Sequence, residues 1–439
     1  MRHTPDMSRH HRAGSRVAID RTAFVPYCTW AVIVILLAIS SIAGCAAPTR
    51  LAAVPADQTE NVTALGIPNA RFWADTQGPA MVREAQEALA RERAANPDAT
   101  GQALPPAYYL AISGGSDNGA YGSGLLCGWT QAGTRPSFKL VTGISTGALS
   151  APFAFLGPAY DPQLRAVYTD VSPGDIYTER WLPTAIFSDA LSDTDPLFHL
   201  IAHYADQRML AAIASEYRKG RLLLIGTTNL DVQRPVIWNI GAIAASGRPE
   251  ALDLVHKILL ASASVPGAFP PVMIDVEAGG QHYQEMHVDG GAVAQTFLIP
   301  AAVGQILNLR SKSITRQRTA YVIRNARLDP EWASTDRSLF SISGRAISTM
   351  IYYSGYNDVV RIYFSSQRDG VDYNLAYIGS DFSFPHKKNF DTAYMRALFD
   401  YGFKQGVAGT AWHKAPPILS QPDGTESLTA TGTEVVGAR

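Results

Sequence analysis

Leu140-Val141-Thr142-Gly143-Ile144-Ser145-Thr146-Gly147 is the stretch that decides the fold. Its first three residues read as a short buried strand, and residues 146–156 (TGALSAPFAFL) read as a helix. Between them lies a G-x-S-x-G turn. Such a turn holds a serine on a sharp strand-to-helix bend with its hydroxyl exposed. Its small flanking residues, here Gly143 and Gly147, let strand and helix pack close around it. Two glycines and a serine recur by chance at this spacing, so the weight comes from the placement between strand and helix. An idle serine in a glycine-rich loop is the alternative.

Upstream, residues 108–112 (YYLAI) form another short apolar run, and residues 113–122 (SGGSDNGAYG) follow it as a glycine-rich turn. Successive glycines expose backbone N–H groups, and a helix start adds partial positive charge, a combination suited to an oxyanion. A phosphate loop would read G-x-x-x-x-G-K-[ST], and no Lys or Arg lies between Tyr108 and Gln131. Downstream, residues 222–227 (LLLIGT), 235–239 (PVIWN) and 319–324 (TAYVIR) read as strands, and residues 79–95 and 252–263 as helices. His287-Val288 is strand-like and ends in Asp289-Gly290-Gly291. Apolar strands alternating with helices predict an α/β sheet covered on both faces. In such sheets functional groups gather at the carboxyl ends of the strands, so Asp289 can face the same edge as Ser145. A surface Asp-Gly turn is the plainer reading. Residues 157–220, with Trp181, Phe187, Phe198 and Tyr204, are either a cap over an acyl pocket or ordinary helical packing.

Serine is a poor nucleophile without a base. Past Asp289 the only histidines are His386, in a Pro-His-Lys-Lys loop, and His413, near the end of the chain. His199, His203 and His282 have no partner readable from spacing, and His256 sits in an apolar helix as a packed core residue. A His-dependent α/β-hydrolase using His386 or His413 therefore stands as a second enzymatic reading.

The 439 residues are 46% hydrophobic and 17% charged, which excludes a wholly disordered chain, a collagen and a long coiled coil. Lys and Arg number 37 against 38 Asp and Glu, so no basic surplus points to nucleic acid. Cys28, Cys45 and Cys127 cannot build a disulfide framework. With no C-x-x-C, H-E-x-x-H or EF-hand run, neither a metal nor another cofactor is expected. Residues 1–44 combine an arginine-bearing n-region with the apolar run 31–43 (AVIVILLAISSIA) and read as a secretory signal. Ile42-Ala43-Gly44-Cys45 resembles the bacterial lipobox, in which the cysteine takes a diacylglyceryl group. An uncleaved anchor is the alternative, since the apolar run from Ala23 is long enough to span a bilayer. Ala46 after the cysteine suggests export to an outer membrane where the cell has one. Residues 45–68 read as a tether and 415–439 as a disordered tail.

Taken in order, the glycine-rich turn, G-I-S-T-G and D-G-G resemble the patatin-like phospholipase family. Residues 261–272 (ASASVPGAFPPV) are similar to the segment before the family's aspartate, and 226–231 (GTTNLD) to its post-strand loop. The resemblance covers residues 108–298 within an expected domain of residues 69–414. It implies a three-layer α/β/α fold with a mostly parallel central sheet, and acyl-ester hydrolysis by a Ser–Asp dyad without histidine. It makes Ser145 the nucleophile, Asp289 the base, and Gly114, Gly115 and Ser116 the oxyanion donors, with a lipid or phospholipid ester as substrate. The family's turn usually reads G-G-G-x-[RK]-G, whereas here Ser116 and Asn118 stand at the third glycine and the basic position. The lost positive charge disfavours anionic phospholipids more than it disfavours esterase chemistry. This departure also keeps a third reading open, a non-catalytic lipid-binding envelope lipoprotein.

Overall fold

The strands Ala107–Ile112, Leu140–Ile144 and Leu222–Asn229 carry no charged side chain and pair side by side at the middle of the sheet. The computed structural model describes residues 50–97, 104–179, 189–298 and 316–419. The chain divides into residues 1–49 and residues 50–439, and all the described residues fall in the second unit. The strands are β1 (Arg71–Trp73), β2 (Ala107–Ile112), β3 (Leu140–Ile144), β4 (Thr178–Glu179), β5 (Ser192–Asp193), β6 (Leu222–Asn229), β7 (Arg234–Asn239), β8 (Val272–Ala278), β9 (Gln281–Asp289), β10 (Arg318–Arg327) and β11 (Asp372–Ile378). The helices are α1 (Gly78–Ala95), α2 (Gly119–Gln131), α3 (Thr146–Leu156), α4 (Asp161–Thr169), α5 (Asp195–Tyr204), α6 (Gln207–Arg218), α7 (Ile240–Ala245), α8 (Ala251–Ala263), α9 (Leu339–Asp369) and α10 (Thr392–Ala408).

Nine strands form one sheet, in the order β1-β7-β6-β3-β2-β10-β11, with β8 and β9 attached beside β6, while β4 and β5 make a separate ribbon. The run β6-β3-β2-β10-β11 is parallel throughout. β7, β1 and the β8–β9 hairpin are antiparallel, so the sheet is mixed, with a parallel centre. Side chains alternate between the faces. Leu110, Ile112, Leu223 and Ile225 join one core with α2, α3, α8 and α10, whereas Ala111 and Leu224 join a second with α1 and α9. Helices thus cover both faces, as the alternation of strands and helices predicts.

The strands read from sequence all form, with ends shifted by a few residues. Five more were not visible there, the β4–β5 ribbon and three strands of the main sheet. β8 (VMIDVEA) alternates with period two and is joined to β9 by Gly279-Gly280, both at positive φ. β1 and β11 are an edge triplet and a strand carrying Asp372 and Asn374. The tether expected over residues 45–68 is corrected for its described part. Thr63 and Glu277 exchange backbone hydrogen bonds at 2.9 Å, Ala64 and Ile67 are buried, and Trp73 Nε1 donates to the Thr59 carbonyl. Small polar residues resemble a linker in composition, but here they satisfy the open edge of β8. Residues 45–49 lie outside the described residues. Of the expected tail, residues 417–419 form a 3-10 turn and residues 420–439 lie outside the described residues.

α2 and α10 approach closely enough for their backbones to touch. A Cβ on Gly124 would overlap the Phe399 carbonyl, one on Gly128 the Phe403 carbonyl, one on Gly402 the Tyr121 carbonyl and one on Gly406 the Leu125 carbonyl. Two G-x-x-x-G pairs face each other, and nothing larger fits without moving a helix. Gly124→Val or Gly402→Val should therefore cost about 1–3 kcal/mol or more, read as a lower melting temperature. Gly344→Ala, where nothing lies within 4 Å, should be neutral or stabilising by up to about 1 kcal/mol.

Candidate active site

β6 outlasts β3 on their shared border. Their pairing ends with Ile144 opposite Gly226, and on the same side β9 takes over from the other direction, with Asp289 opposite Thr227. Ser145 follows Ile144 at once, so serine and aspartate reach one point of β6 from opposite ends. The turn is tight. Ser145 has φ 57° and ψ −129°, a left-handed conformation unusual for a residue with a side chain. A Cβ on Gly143 would overlap the Gly147 carbonyl, and one on Gly147 the Ile112 carbonyl, which is why both flanks are glycine. The Ser145 N–H donates to Ser262 Oγ at 3.0 Å, and Ser262 in turn donates to the Gly226 carbonyl at 2.7 Å.

Asp289 is 3% exposed. Its backbone N–H is held by the Ser264 carbonyl at 2.9 Å, and its Oδ1 accepts the Gly291 N–H at 2.6 Å. Oδ2 is buried without a well-formed hydrogen bond, although the Ser145 hydroxyl is close enough to act on the carboxyl. Burial pushes the Asp289 carboxyl up to about 7, against the pull of the Ser145 hydroxyl and the Gly291 N–H. Two residues earlier, His287 bridges Thr227 and Glu285 at 3.0 and 3.1 Å, and Glu285 pairs with Arg71, fixing β9 against its neighbours.

The glycine-rich turn differs from expectation at its first donor. Gly114 gives its N–H to the Gln295 carbonyl at 3.0 Å, so it is not free for a ligand. The N–H groups of Gly115 and Ser116 have no acceptor among the described residues and precede α2. A Cβ on Gly115 would overlap the Asn325 carbonyl. Asn325, on β10, donates its backbone N–H to Ser113 Oγ and its Nδ2 to the Ser113 carbonyl, both at 2.9 Å, and its Oδ1 accepts the Gly122 N–H at 3.0 Å. Asp117 accepts from His386 Nε2 and from the Phe390 N–H, both at 2.8 Å, and Tyr394 donates to Asn118 Oδ1 at 2.7 Å. The Asn118 position, basic in the resembled family, is thus occupied with Tyr394. Among the described residues no histidine bonds Ser145. His386 belongs to the turn, and His413 pairs by its backbone with Leu375. His256 is the packed core residue expected, bonded to the Ala205 carbonyl at 2.7 Å.

Ser145 and Ser116 stand at the edge of a cavity of ≈ 880 Å³ of empty space, its mouth included. Its walls are apolar and include Leu149 and Phe153 of α3, Leu197, Ile201 and Tyr204 of α5, Met209 of α6 and Phe269. Residues 157–220, read from sequence as either a cap or ordinary helical packing, contribute to it through α4–α6, while Trp181 and Phe187 lie outside the described residues. Among the described residues no three His, Cys, Asp or Glu side chains gather as metal ligands. Asn325, Ser262, Gln295 and Asp117 were not singled out from sequence. Asp117 had a signal in its place inside the glycine-rich turn, and Ser262 in its place within the family-like segment 261–272.

Residues 110–302 match the family model described as patatin-like phospholipase. No curated protein matches the sequence. The solved structure of VipD from Legionella pneumophila is similar at 9% identity and a TM-score of 0.35, covering 70% of this chain and 67% of that one. That likeness is too distant to carry an argument about the site.

The raised carboxyl has opposite consequences for turnover and for stability. If Asp289 serves as the base that the family resemblance implies, it must be ionised, and kcat/KM on an uncharged ester should rise about tenfold per pH unit below about 7 and level off above it. Between its ordinary 3.8 and about 7, Asp289 takes up a proton on folding, so stability falls as pH rises through that window. Asp289→Asn should therefore abolish turnover yet melt at a higher temperature than the wild type at pH 8, checked by pH–rate profiles and thermal melts.

Proposed function

From a patatin-like phospholipase domain over residues 110–302, we propose that this chain hydrolyses lipid acyl esters with Ser145 as nucleophile and Asp289 as its base. One observation carries this reading: a strained serine and a buried carboxyl with a raised pKa meet at one point of β6, beside an apolar cavity.

In the forward step the Asp289 carboxylate takes the Oγ proton as Ser145 attacks the ester carbonyl. The oxyanion collects the N–H groups of Gly115 and Ser116, helped by the start of α2. Collapse breaks the ester bond, and Asp289 returns the proton to the leaving alcohol. Water then attacks the acyl-enzyme, losing its proton to Asp289, and the fatty acid leaves as Ser145 is restored. The acyl chain lies in the cavity, whose walls offer it no charge. With Asn118 in the turn, the reading favours neutral or zwitterionic lipid esters over anionic ones.

The same proposal places the chain in a cell envelope, with residues 1–44 removed and Cys45 lipidated, on an outer membrane where one exists. Among the described residues no helix is long and apolar enough to cross a membrane. Cys45→Ser should abolish labelling of the protein by radioactive fatty acid and leave a chain whose mass retains the N-terminal residues, still held in the membrane by their apolar run.

A fluorophosphonate should label Ser145, and Asp289→Asn should lose the label. Ser145→Ala should lower kcat/KM by about a thousandfold or more, whereas His386→Ala with His413→Ala should cost about tenfold or less. A folded protein that takes no label would leave the non-catalytic lipid-binding reading. Loss of all activity in the double histidine variant would favour a His-dependent hydrolase.

A further inference from the structure

α9 carries an apolar face that no other described residue covers. At 100° per residue, Leu339, Ile342, Ile347, Met350 and Tyr353 fall in one stripe about 140° wide, the width at which a helix normally meets a core. Here the stripe faces water: Leu339 is 77% and Met350 65% exposed. Trp332, in the loop leading to the helix, is 90% exposed. A contiguous exposed patch of this kind marks a binding surface.

Its place in the fold says what it meets. β10 runs parallel to β2, so both end at the edge that carries the glycine-rich turn and Ser145. α9 then runs back along the sheet. Arg318, at the start of β10, donates to the Asp369 carbonyl at the end of α9. Tyr352 donates to the Leu328 carbonyl, just past the end of β10, at 2.7 Å. The helix is roughly 46 Å long at 1.5 Å per residue, so the part before Tyr352 reaches about 20 Å beyond the sheet on the active-site side.

Charge selects among occupants. From Ser338 to Asn357 the only charged residue is Arg345, whose guanidinium is turned back onto the Glu331 carbonyl. In the preceding loop Glu331 pairs with Arg327 at 3.4 Å, and Asp329, Asp336 and Arg337 complete a near-neutral balance. Trp and Tyr, here the exposed Trp332 and Tyr353, are the side chains enriched at the bilayer–water boundary, and a surface without net charge suits zwitterionic rather than anionic headgroups.

We infer that the N-terminal half of α9 is an interfacial docking helix that lays its apolar stripe into a zwitterionic phospholipid surface and presents the Ser145 cavity to it. The inference rests on the lipid-ester reading, because a substrate held in a bilayer is what gives a docking helix at this edge its use.

The test uses the full chain with Met350→Cys and with Cys28 and Cys45 replaced by Ser, since Cys127 is buried. An environment-sensitive fluorophore is placed at position 350, in wild-type and Ser145→Ala backgrounds. On addition of phosphatidylcholine vesicles the emission should shift to the blue and be quenched by lipids bearing quenchers on their acyl chains. Ile342→Glu with Met350→Glu should slow hydrolysis of vesicle lipid by about tenfold or more and leave a soluble short-chain ester within about twofold. A label that stays in water while the chain hydrolyses vesicle lipid overturns the docking helix. A label shielded before vesicles are added, in a sample that sediments as a dimer, overturns it in favour of a second copy. Absence of hydrolysis on every ester overturns the lipid-ester reading instead, and insertion in the Ser145→Ala background is read independently of it.

Discussion

The site depends on a mismatch of strand lengths. β6 extends past β3, and the border that β3 leaves is taken by β9 from the opposite direction. A backbone edge in a buried sheet must be paired, so the hydrogen-bonding demand of Thr227 to Asn229 brings the end of β9, and with it Asp289, next to the turn after Ile144. Two residues separated by most of the domain are thereby fixed relative to one another by main-chain pairing rather than by flexible side chains.

Around that junction the structure accepts several unfavourable terms. Ser145 holds a left-handed backbone, and Asp289 is buried where its ionised form is disfavoured. Each is opposed by local bonds: Ser262 on the serine N–H, Ser264 and Gly291 on the aspartate. Behind Asp289, burial alone would raise the Glu285 carboxyl, but His287 and Arg71 bring it down to about 2, so β9 is tied by an ion pair that persists across the working range of pH. Strain kept at a nucleophile and satisfied bonds kept around it are what a preorganised site requires.

Much of this was legible in the residues. The strand–turn–helix around Ser145 announces itself, because glycine, serine and apolar runs leave few other arrangements, and the sheet follows from uncharged strands alternating with helices. The order of motifs was legible for the same reason. What was not legible depended on partners far along the chain. Nothing local distinguishes Gly114, whose N–H is spent on Gln295, from Gly115, whose N–H is not. Residues 50–68 have a linker's composition, and only the edge of β8 makes them structure. The stripe on α9 has a core helix's period, and only the fold shows that no other described residue covers its first half.

The contact between α2 and α10 bears on where the domain ends. The recognisable motifs stop near residue 302, but the turn between Ser113 and Gly122 is braced by Asn325, His386, Phe390 and Tyr394, and the helix behind it is gripped by α10. A fragment cut where the motifs end would keep every residue assigned a chemical step and lose the braces that hold the turn in shape. The smallest autonomous unit is thus longer than its signature.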